Sequence, residues 1–197
     1  MFSYWLGLAV QKDLTTVGDG NPGAFNLWNA AGYKLGLLGI FLDFMKGYLP
    51  LAILIEYGIV YGMAIVPVAI APILGHAFSP FIRLKGGKAI AVTFGVWSAV
   101  TRFEVSFAYA VILALLLCAA KLLRKGKPIP TEIDGFMVVL GILILGIYLM
   151  VRAFFLPVIL LWFGNLLLLT YTNRAKLHRL FQAVSRKDKR NDINTGL

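Results

Sequence analysis

Seven stretches of this chain are dominated by apolar residues, and polar loops separate them. Within each stretch the apolar residues are continuous rather than alternating with polar ones, which is typical of helices and not of β-barrel strands. Because about 20 apolar residues cross a membrane as a helix, the longer stretches predict transmembrane helices. The seven stretches are 2–10, 34–55, 58–82, 89–100, 105–120, 135–151 and 153–171.

The composition supports the membrane interpretation. The chain has 197 residues, of which 59% are hydrophobic and only 14% are charged, against roughly 25% charged residues in soluble domains. We therefore predict an all-α, polytopic integral membrane protein with about seven transmembrane helices, some of them short or half-length. Residues 1–197 form one membrane domain in this interpretation, and Pro67 and Pro72 are expected kink sites in the third stretch.

The two short stretches leave alternatives open. Nine residues at 2–10 rise about 14 Å as a helix, which is half of a ~30 Å hydrocarbon core. This stretch is either a half-helix buried against its neighbours or the remnant of a chain that lacks its true beginning. The stretch 89–100 either crosses the membrane or forms a re-entrant segment.

The distribution of basic residues predicts the orientation. The net charge is +10, which in a membrane protein reports topology more often than nucleic-acid binding. Sixteen of the 19 Lys and Arg residues lie in four alternate segments, 11–34, 83–88, 121–134 and 173–197. The positive-inside rule predicts that these segments are cytoplasmic. We therefore expect a protein of the cell membrane (inner or plasma membrane), with its N-terminus outside and its C-terminus in the cytoplasm.

The basic cytoplasmic tail, 173–197, has two possible roles. It can rest on anionic lipid, where each basic residue near the surface contributes about 1 kcal/mol. Alternatively, it can contact a substrate directly.

The first glycine-rich loop reads VGDGNPGAFN, in which Gly18, Gly20 and Gly23 have the spacing G-x-G-x-x-G. A dinucleotide-binding turn would follow a buried strand, and the preceding QKDLTT is not one. The glycines still allow backbone N–H groups to approach an oxyanion, and Asn21 and Asn26 add neutral donors. The alternative is a tight turn at the membrane interface.

The second glycine-rich loop precedes an apolar helix. Gly86 and Gly87 lie between Lys85 and Lys88, so two ammonium groups and free backbone donors meet at a helix N-terminus, where phosphate binds readily. The alternative is positive-inside charge with a helix cap. Two such loops on one membrane face predict an anion site.

Other ionisable residues lie within or near the apolar stretches. Asp43 and Lys46 are three residues apart on one helical face, and we expect an ion pair that holds helices together. His76 is either a hydrogen-bonded structural group or a base. The sequence contains no cluster of Cys or His residues that would indicate a metal site. We therefore predict no metal and no cofactor.

Three sequence blocks, taken together, resemble one family. GDGNPGAFN, then FLDFMKGYLP at 41–50, then LGHAFSPFIRLKGGKAIAVTFG at 74–95, are similar in order and spacing to the motifs of bacterial acyl-phosphate:glycerol-3-phosphate acyltransferases of the PlsY type. Asp19 stands where that family has Ser. Asn173 and Lys176 stand where a later motif of the family has His and Asn.

The resemblance implies seven spans with cytoplasmic motifs and an acyl transfer. The acyl group of an acyl phosphate passes to the sn-1 hydroxyl of glycerol 3-phosphate, giving lysophosphatidic acid and phosphate in phospholipid biosynthesis, with no metal or coenzyme A. The expected partners are these two substrates and the lipid bilayer, without nucleic acid. The alternatives are a different acceptor or a non-catalytic protein that binds lipid or a partner.

The resemblance also implies roles for individual residues. The glycines and Asn21 would cradle one phosphate, and the lysines would neutralise charge, with either the substrate phosphate or His76 as the base. The predicted catalytic residues are His76, Lys88 and Asn21. The predicted phosphate- or substrate-binding residues are Gly18, Gly20, Asn21, Gly23, Asn26, Lys85, Gly86, Gly87, Lys88 and Arg179.

Overall fold

A computed structural model describes the backbone of residues 1–195, and the side chains of 1–183 and Ser185. Within that range the chain is helical, and short 3-10 turns (Leu14–Thr16, Gly62–Ala64 and Pro80–Ile82) connect some of the helices. The α-helices are α1 (Phe2–Ala9), α2 (Ala24–Ala31), α3 (Tyr33–Glu56), α4 (Ile65–Ala77), α5 (Ile90–Thr101), α6 (Glu104–Leu123), α7 (Thr131–Val151) and α8 (Leu156–Thr195).

Each of the seven apolar stretches contains a helix, which confirms the all-α membrane fold. Five helical segments are long and apolar enough to cross a membrane: Tyr33–Glu56, Gly62–Ile82, Glu104–Leu123, Thr131–Val151 and Leu156–Ala183. Helix α5 is apolar but has only 12 residues, and α1 has eight. The two short stretches are therefore half-length helices.

Two regions differ from the sequence-based prediction. Helix α2 occupies residues that were predicted as loop. Gly23 precedes its first residue, and Gly32, with φ of +87°, ends it. The last span, 153–171, and the tail that follows it form one continuous helix, α8. The first basic turns of the tail are therefore rigidly joined to the transmembrane part of α8.

Helix α5 is enclosed by the bundle, which explains how a short helix is accommodated. Val92, Val96 and Trp97 are fully buried. Helix α3 approaches α5 closely because Gly47 faces the Val92 carbonyl and Gly95 faces the backbone of α3, as small residues allow in membrane proteins. The N-terminal end of α5, which follows the second loop, is thereby held inside the outline of the bundle.

A buried polar network fixes α5 against α8. The Trp97 indole N–H donates to Oδ1 of Asn165 at 3.0 Å, and Nδ2 of Asn165 donates to Thr93 Oγ1 at 3.1 Å. Each group needs a protein partner where water is absent. The network sets the register between the helix that follows the second loop and the helix that carries the tail.

Asp43 ties the half-length α1 to α3. Its carboxylate accepts hydrogen bonds from the backbone N–H of Phe2 at 3.1 Å, from Ser3 Oγ at 2.6 Å and from Lys46 Nζ at 2.7 Å. The Asp43–Lys46 ion pair predicted to hold helices together is confirmed. Because the buried charge has these partners, α1 is fastened to the bundle at its first turn.

Candidate active site

A cavity of about 590 Å³ lies where three parts of the chain meet. Residues 19–22 of the first loop form one wall, and residues 84–88 of the second loop form another. Helix α8 supplies the third wall with the side of the helix between Tyr171 and Arg179. The two loops predicted to bind anions therefore face one space.

Basic side chains and apolar or aromatic side chains line the cavity together. One carboxylate, that of Asp19, lies on its described wall. Apolar and aromatic groups lie next to the charges, including Phe78, Leu84 and Tyr171. Such a surface suits a ligand with a phosphate group and an apolar chain. The basic residues are Lys85, Lys88, Arg174, Lys176 and Arg179.

The backbone of the first loop turns sharply at two glycines. Gly18 and Gly20 have φ of +57° and +71°, a region that glycine enters without the steric cost of a Cβ. The N–H of Gly20 donates to the Val17 carbonyl at 3.0 Å. Gly20 lies on the cavity wall, whereas Gly18 and Gly23 support the loop from behind it.

Asn26 holds this loop together from within. It is 2% exposed, and its Nδ2 donates to the Val17 carbonyl at 2.7 Å, to the Asn21 carbonyl at 2.8 Å and to Asp19 Oδ1 at 3.1 Å. Asn26 is outside the cavity wall and its amide hydrogens point at the loop. The sequence predicted the Asn26 amide as a donor to phosphate, but in the structure this amide donates to the first loop and fixes its shape.

Asn21 stands on the cavity wall itself. Its backbone N–H donates to Asp19 Oδ1 at 3.2 Å. Its side-chain Oδ1 is buried and lacks a hydrogen-bond partner within the part of the chain that the structure describes. Asn21 thus lies on the cavity wall, and its role in binding a phosphate stays a prediction.

The second loop runs along the C-terminal end of α4. The N–H of Gly86 donates to the Ala77 carbonyl at 3.0 Å, and the N–H of Gly87 donates to the His76 carbonyl at 3.2 Å. A Cβ on Gly86 would overlap the His76 carbonyl oxygen, and one on Gly87 would overlap the His76 ring. The glycines bring the backbone close to α4 while Lys85 and Lys88 reach the cavity.

His76 lies behind this loop rather than on the cavity wall. It is 5% exposed, and its Nδ1 is 2.7 Å from Lys46 Nζ and 3.6 Å from Asp43 Oδ1. One predicted catalytic residue is thus separated from the cavity by Gly87. The predicted residues that line the cavity are Gly20, Asn21, Lys85, Gly86, Gly87, Lys88 and Arg179.

An ion pair joins the two loops across the cavity. Lys88 Nζ is 2.5 Å from Asp19 Oδ2, and Lys176 Nζ is 3.5 Å from the same oxygen. Burial alone would raise the pKa of Asp19, but the hydrogen bond and the charge of Lys88 have the larger effect and lower this pKa to about 2. Burial lowers the pKa of Lys88, and the hydrogen bond to Asp19 opposes that change. Asp19 is therefore an anion throughout the physiological range.

Helix α8 adds residues that the sequence-based prediction did not name as ligands. Thr172 and Lys176 line the cavity together with the predicted Arg179, and the spacing of four and three places all of them on one helical face. The Arg174 guanidinium lies 3.8 Å from the centre of the Tyr171 ring. The spacing of residues 172, 176 and 179, in and just before the basic tail, is the sequence signal that could have identified this face of α8. In the described chain, no group of three or more His, Cys, Asp or Glu is placed to hold a metal ion.

Known proteins are similar to this chain in sequence and in fold. Residues 1–183 match the family described as Glycerol-3-phosphate acyltransferase. The chain is 39% identical over 188 residues to Glycerol-3-phosphate acyltransferase 1 of Thermotoga maritima, covering 93% of this chain and 92% of the relative. It is 30% identical over 177 residues to Glycerol-3-phosphate acyltransferase of Endomicrobium trichonymphae, covering 89% and 81%.

Two crystal structures of PlsY (YgiH), an integral membrane glycerol 3-phosphate acyltransferase, have the same fold. The glycerol 3-phosphate form superposes with a TM-score of 0.78 at 26% identity, over 92% of this chain and 85% of that chain. The lysophosphatidic acid form gives 0.73, over 92% and 89%. With the family match over nearly the whole described chain, the two loops and their basic cavity identify this protein as a member of the glycerol-3-phosphate acyltransferase family.

Proposed function

We propose that this chain transfers a fatty acyl group from an acyl phosphate to the sn-1 hydroxyl of glycerol 3-phosphate, releasing lysophosphatidic acid and phosphate. The observation that carries the proposal is the cavity, which five basic side chains line together with apolar and aromatic ones. Both substrates are phosphates and one has an apolar chain. The forms in which the PlsY relative was solved, with glycerol 3-phosphate and with lysophosphatidic acid, support the acceptor and the product.

The basic groups serve a reaction whose donor is already activated. The acceptor oxygen attacks the acyl carbonyl carbon, the bond from that carbon to the phosphate oxygen breaks, and phosphate leaves with the electron pair. Lys85 and Lys88 neutralise the phosphates, while the side-chain amide of Asn21 holds one of them. Orientation and charge stabilisation can supply most of the rate enhancement for such a step.

The position of His76 favours the substrate phosphate as the base. The acceptor proton must reach a group in the cavity, and His76 lies behind Gly87 with its Nδ1 directed at Lys46. A phosphate oxygen of the bound substrate is already within the cavity and can accept the proton. His76 then acts as a positioning residue whose carbonyl fixes the second loop.

The apolar part of the wall provides the route for the acyl chain. Leu84 is 61% exposed at the cavity rim, and neighbouring Phe81 is 68% exposed. Exposed apolar side chains at the end of a transmembrane segment face lipid. The acyl chain therefore enters sideways from the bilayer, with its phosphate directed at the lysines.

The proposed orientation has the cavity on the cytoplasmic side of the cell membrane. Residues of all four predicted cytoplasmic segments line it, since Thr131 of the third joins the two loops and α8. That shared location supports one membrane face for the four segments, and the positive-inside rule assigns this face to the cytoplasm.

A phosphate-release assay tests the proposal. Purified protein in detergent receives palmitoyl phosphate with or without glycerol 3-phosphate, and Lys88→Met is compared with Lys121→Met, a lysine on α6 outside the cavity. We expect acceptor-dependent release that Lys88→Met reduces by roughly 100-fold or more and that Lys121→Met leaves intact. Release that is independent of glycerol 3-phosphate would indicate transfer of the acyl group to water. Donor binding without release, from folded protein, would indicate a different acceptor or a non-catalytic relative.

A further inference from the structure

The Asp19 carboxylate uses its two oxygens differently. Oδ1 accepts hydrogen bonds from the Asn21 backbone N–H at 3.2 Å and from Asn26 Nδ2 at 3.1 Å, both within the first loop. Oδ2 faces the cavity, where Lys88 and Lys176 lie at 2.5 and 3.5 Å. One oxygen is therefore anchored to the loop while the other is held between two ammonium groups.

Those two ammonium groups come from different parts of the fold. Lys88 belongs to the second loop, and Lys176 belongs to α8. The stem of Lys176 packs against Gly135 of α7, and its Nζ is also 3.4 Å from Asp134 Oδ2. Since its side chain is only 11% exposed, Lys176 is directed into the cavity rather than into the surrounding solvent.

Two converging ammonium groups are what a phosphate dianion requires. An oxygen of such a ligand would be hydrogen-bonded to Lys88 and ion-paired with Lys176, as Oδ2 of Asp19 is. The carboxylate and the ligand cannot both occupy the space between the lysines, because like charges at contact distance repel. A bound phosphate must therefore compete with Asp19.

We propose that Oδ2 of Asp19 occupies the place that a substrate phosphate oxygen takes between Lys88 and Lys176. Lys176 is thus a phosphate-binding residue, and Asp19 is a positioning residue that keeps both lysines directed into the cavity until the substrate displaces it. This inference rests on the proposed function, because the ligand is the phosphate monoester of that reaction.

Competition has a consequence that a purely structural ion pair does not share. Removing the charge of Asp19 frees both lysines, so a phosphate monoester binds more tightly even though an interaction of the folded protein has been lost. Removing the charge of Lys176 weakens phosphate binding. When the charge of Lys176 is already removed, removing the charge of Asp19 should increase the phosphate affinity by less, because only one of the two ammonium groups remains to be freed.

Titration calorimetry on the full chain in detergent tests these relations, with sn-glycerol 3-phosphate as the ligand and inorganic phosphate as a second probe. We expect Asp19→Asn to lower the Kd by roughly threefold or more and Lys176→Met to raise it by about tenfold. Lys176→Arg should retain most of the binding. In the Lys176→Met background, the gain from Asp19→Asn should shrink.

A matched control removes the same charge from the same segment. Asp13 is an exposed carboxylate bonded to Thr15 outside the cavity wall, and Asp13→Asn should leave the Kd unchanged. If Asp19→Asn is folded and its Kd is unchanged or higher while the wild type binds and turns over, the inference is wrong and the proposed function stands. If Asp19→Asn does not fold, equal binding by wild type and Lys176→Met contradicts the inference. If the folded wild type neither binds the phosphates nor turns over, both proposals fail.

Discussion

In the first loop, glycine is required by the backbone conformation, whereas in the second loop it is required by the lack of space. Gly18 and Gly20 have left-handed φ angles of +57° and +71°. Gly86 and Gly87 have no such angle, but a Cβ on either would overlap His76. Similar sequence patterns thus meet different physical demands at two walls of one cavity.

The left-handed residues near the second loop are not glycines at all. Arg83, Leu84 and Ala89 have φ of +47°, +62° and +62°, a region that costs a non-glycine residue about 1–2 kcal/mol. The close contact with α4 holds them there. Packing from outside therefore determines the shape of the second loop, while the first loop is shaped by its own glycines and by Asn26.

The largest effect should come from Gly86→Ala. The new methyl group would meet the carbonyl oxygens of His76 and Ala77, which are backbone atoms of α4 and cannot rotate away. We expect the loop to move off α4, with a stability loss of about 3 kcal/mol and a fall in phosphate release of roughly 100-fold. Thermal unfolding in detergent and the release assay measure the two effects.

Gly75→Ala is the control for this change. Gly75 is also in α4, and a Cβ there would have no atom within 4 Å, so the same added methyl group should be tolerated. If Gly86→Ala were as stable and active as Gly75→Ala, the second loop would be held by something other than its close packing on α4.

The fold was predictable because hydrophobic length is a local property. The apolar stretches located the membrane helices without any knowledge of contacts. Helix α2 was missed because its first three residues lie inside a motif read as a glycine loop and the other five in a segment read as a connection, although Gly23 and Gly32 mark its two ends. The half-length of α5 became intelligible only with the surrounding helices in place.

The candidate site was predictable in part. Local chemistry identified Lys88 and Asn21, which lie on the cavity wall. It could not show that Asn26 is turned into its own loop, or that His76 is covered by Gly87, since both depend on side-chain direction. Lys176 was not named as a ligand because its distance from Asp19 depends on how α8 packs, 157 residues further along the chain. Two of the positions that depart from the family motifs, Asp19 and Lys176, thus meet as an ion pair.

A smaller effect is expected from Gly18→Ala in the first loop. Alanine at φ of +57° costs about 1–2 kcal/mol, and its methyl group would approach the terminal amide of Asn26, which is side chain rather than backbone. We expect a stability loss of about 1–2 kcal/mol and a several-fold fall in phosphate release, both measured as for Gly86→Ala.

Gly126→Ala separates the cost of the conformation from the effect on the site. Gly126 has φ of +78°, and its surroundings leave 4 Å of open space for a Cβ. It lies in the connection between α6 and α7, outside the cavity wall. The substitution should cost similar stability but leave phosphate release intact. Equal losses of release in the two variants would mean that the first loop has no particular role in the reaction.

The smallest effect concerns the Asp19–Lys88 ion pair that links the loops. The pKa of Asp19 is lowered from 3.8 to about 2 in the folded protein. Its contribution to stability is therefore complete above pH 3.8 and is lost as the pH falls towards 2. The pair is partly exposed, so the contribution should be less than about 1 kcal/mol. The unfolding temperatures of wild type and Asp19→Asn should differ by a constant amount near neutral pH and converge below about pH 4. A difference that persists unchanged to about pH 3 would show that Asp19 stabilises the junction of the loops through its shape rather than its charge.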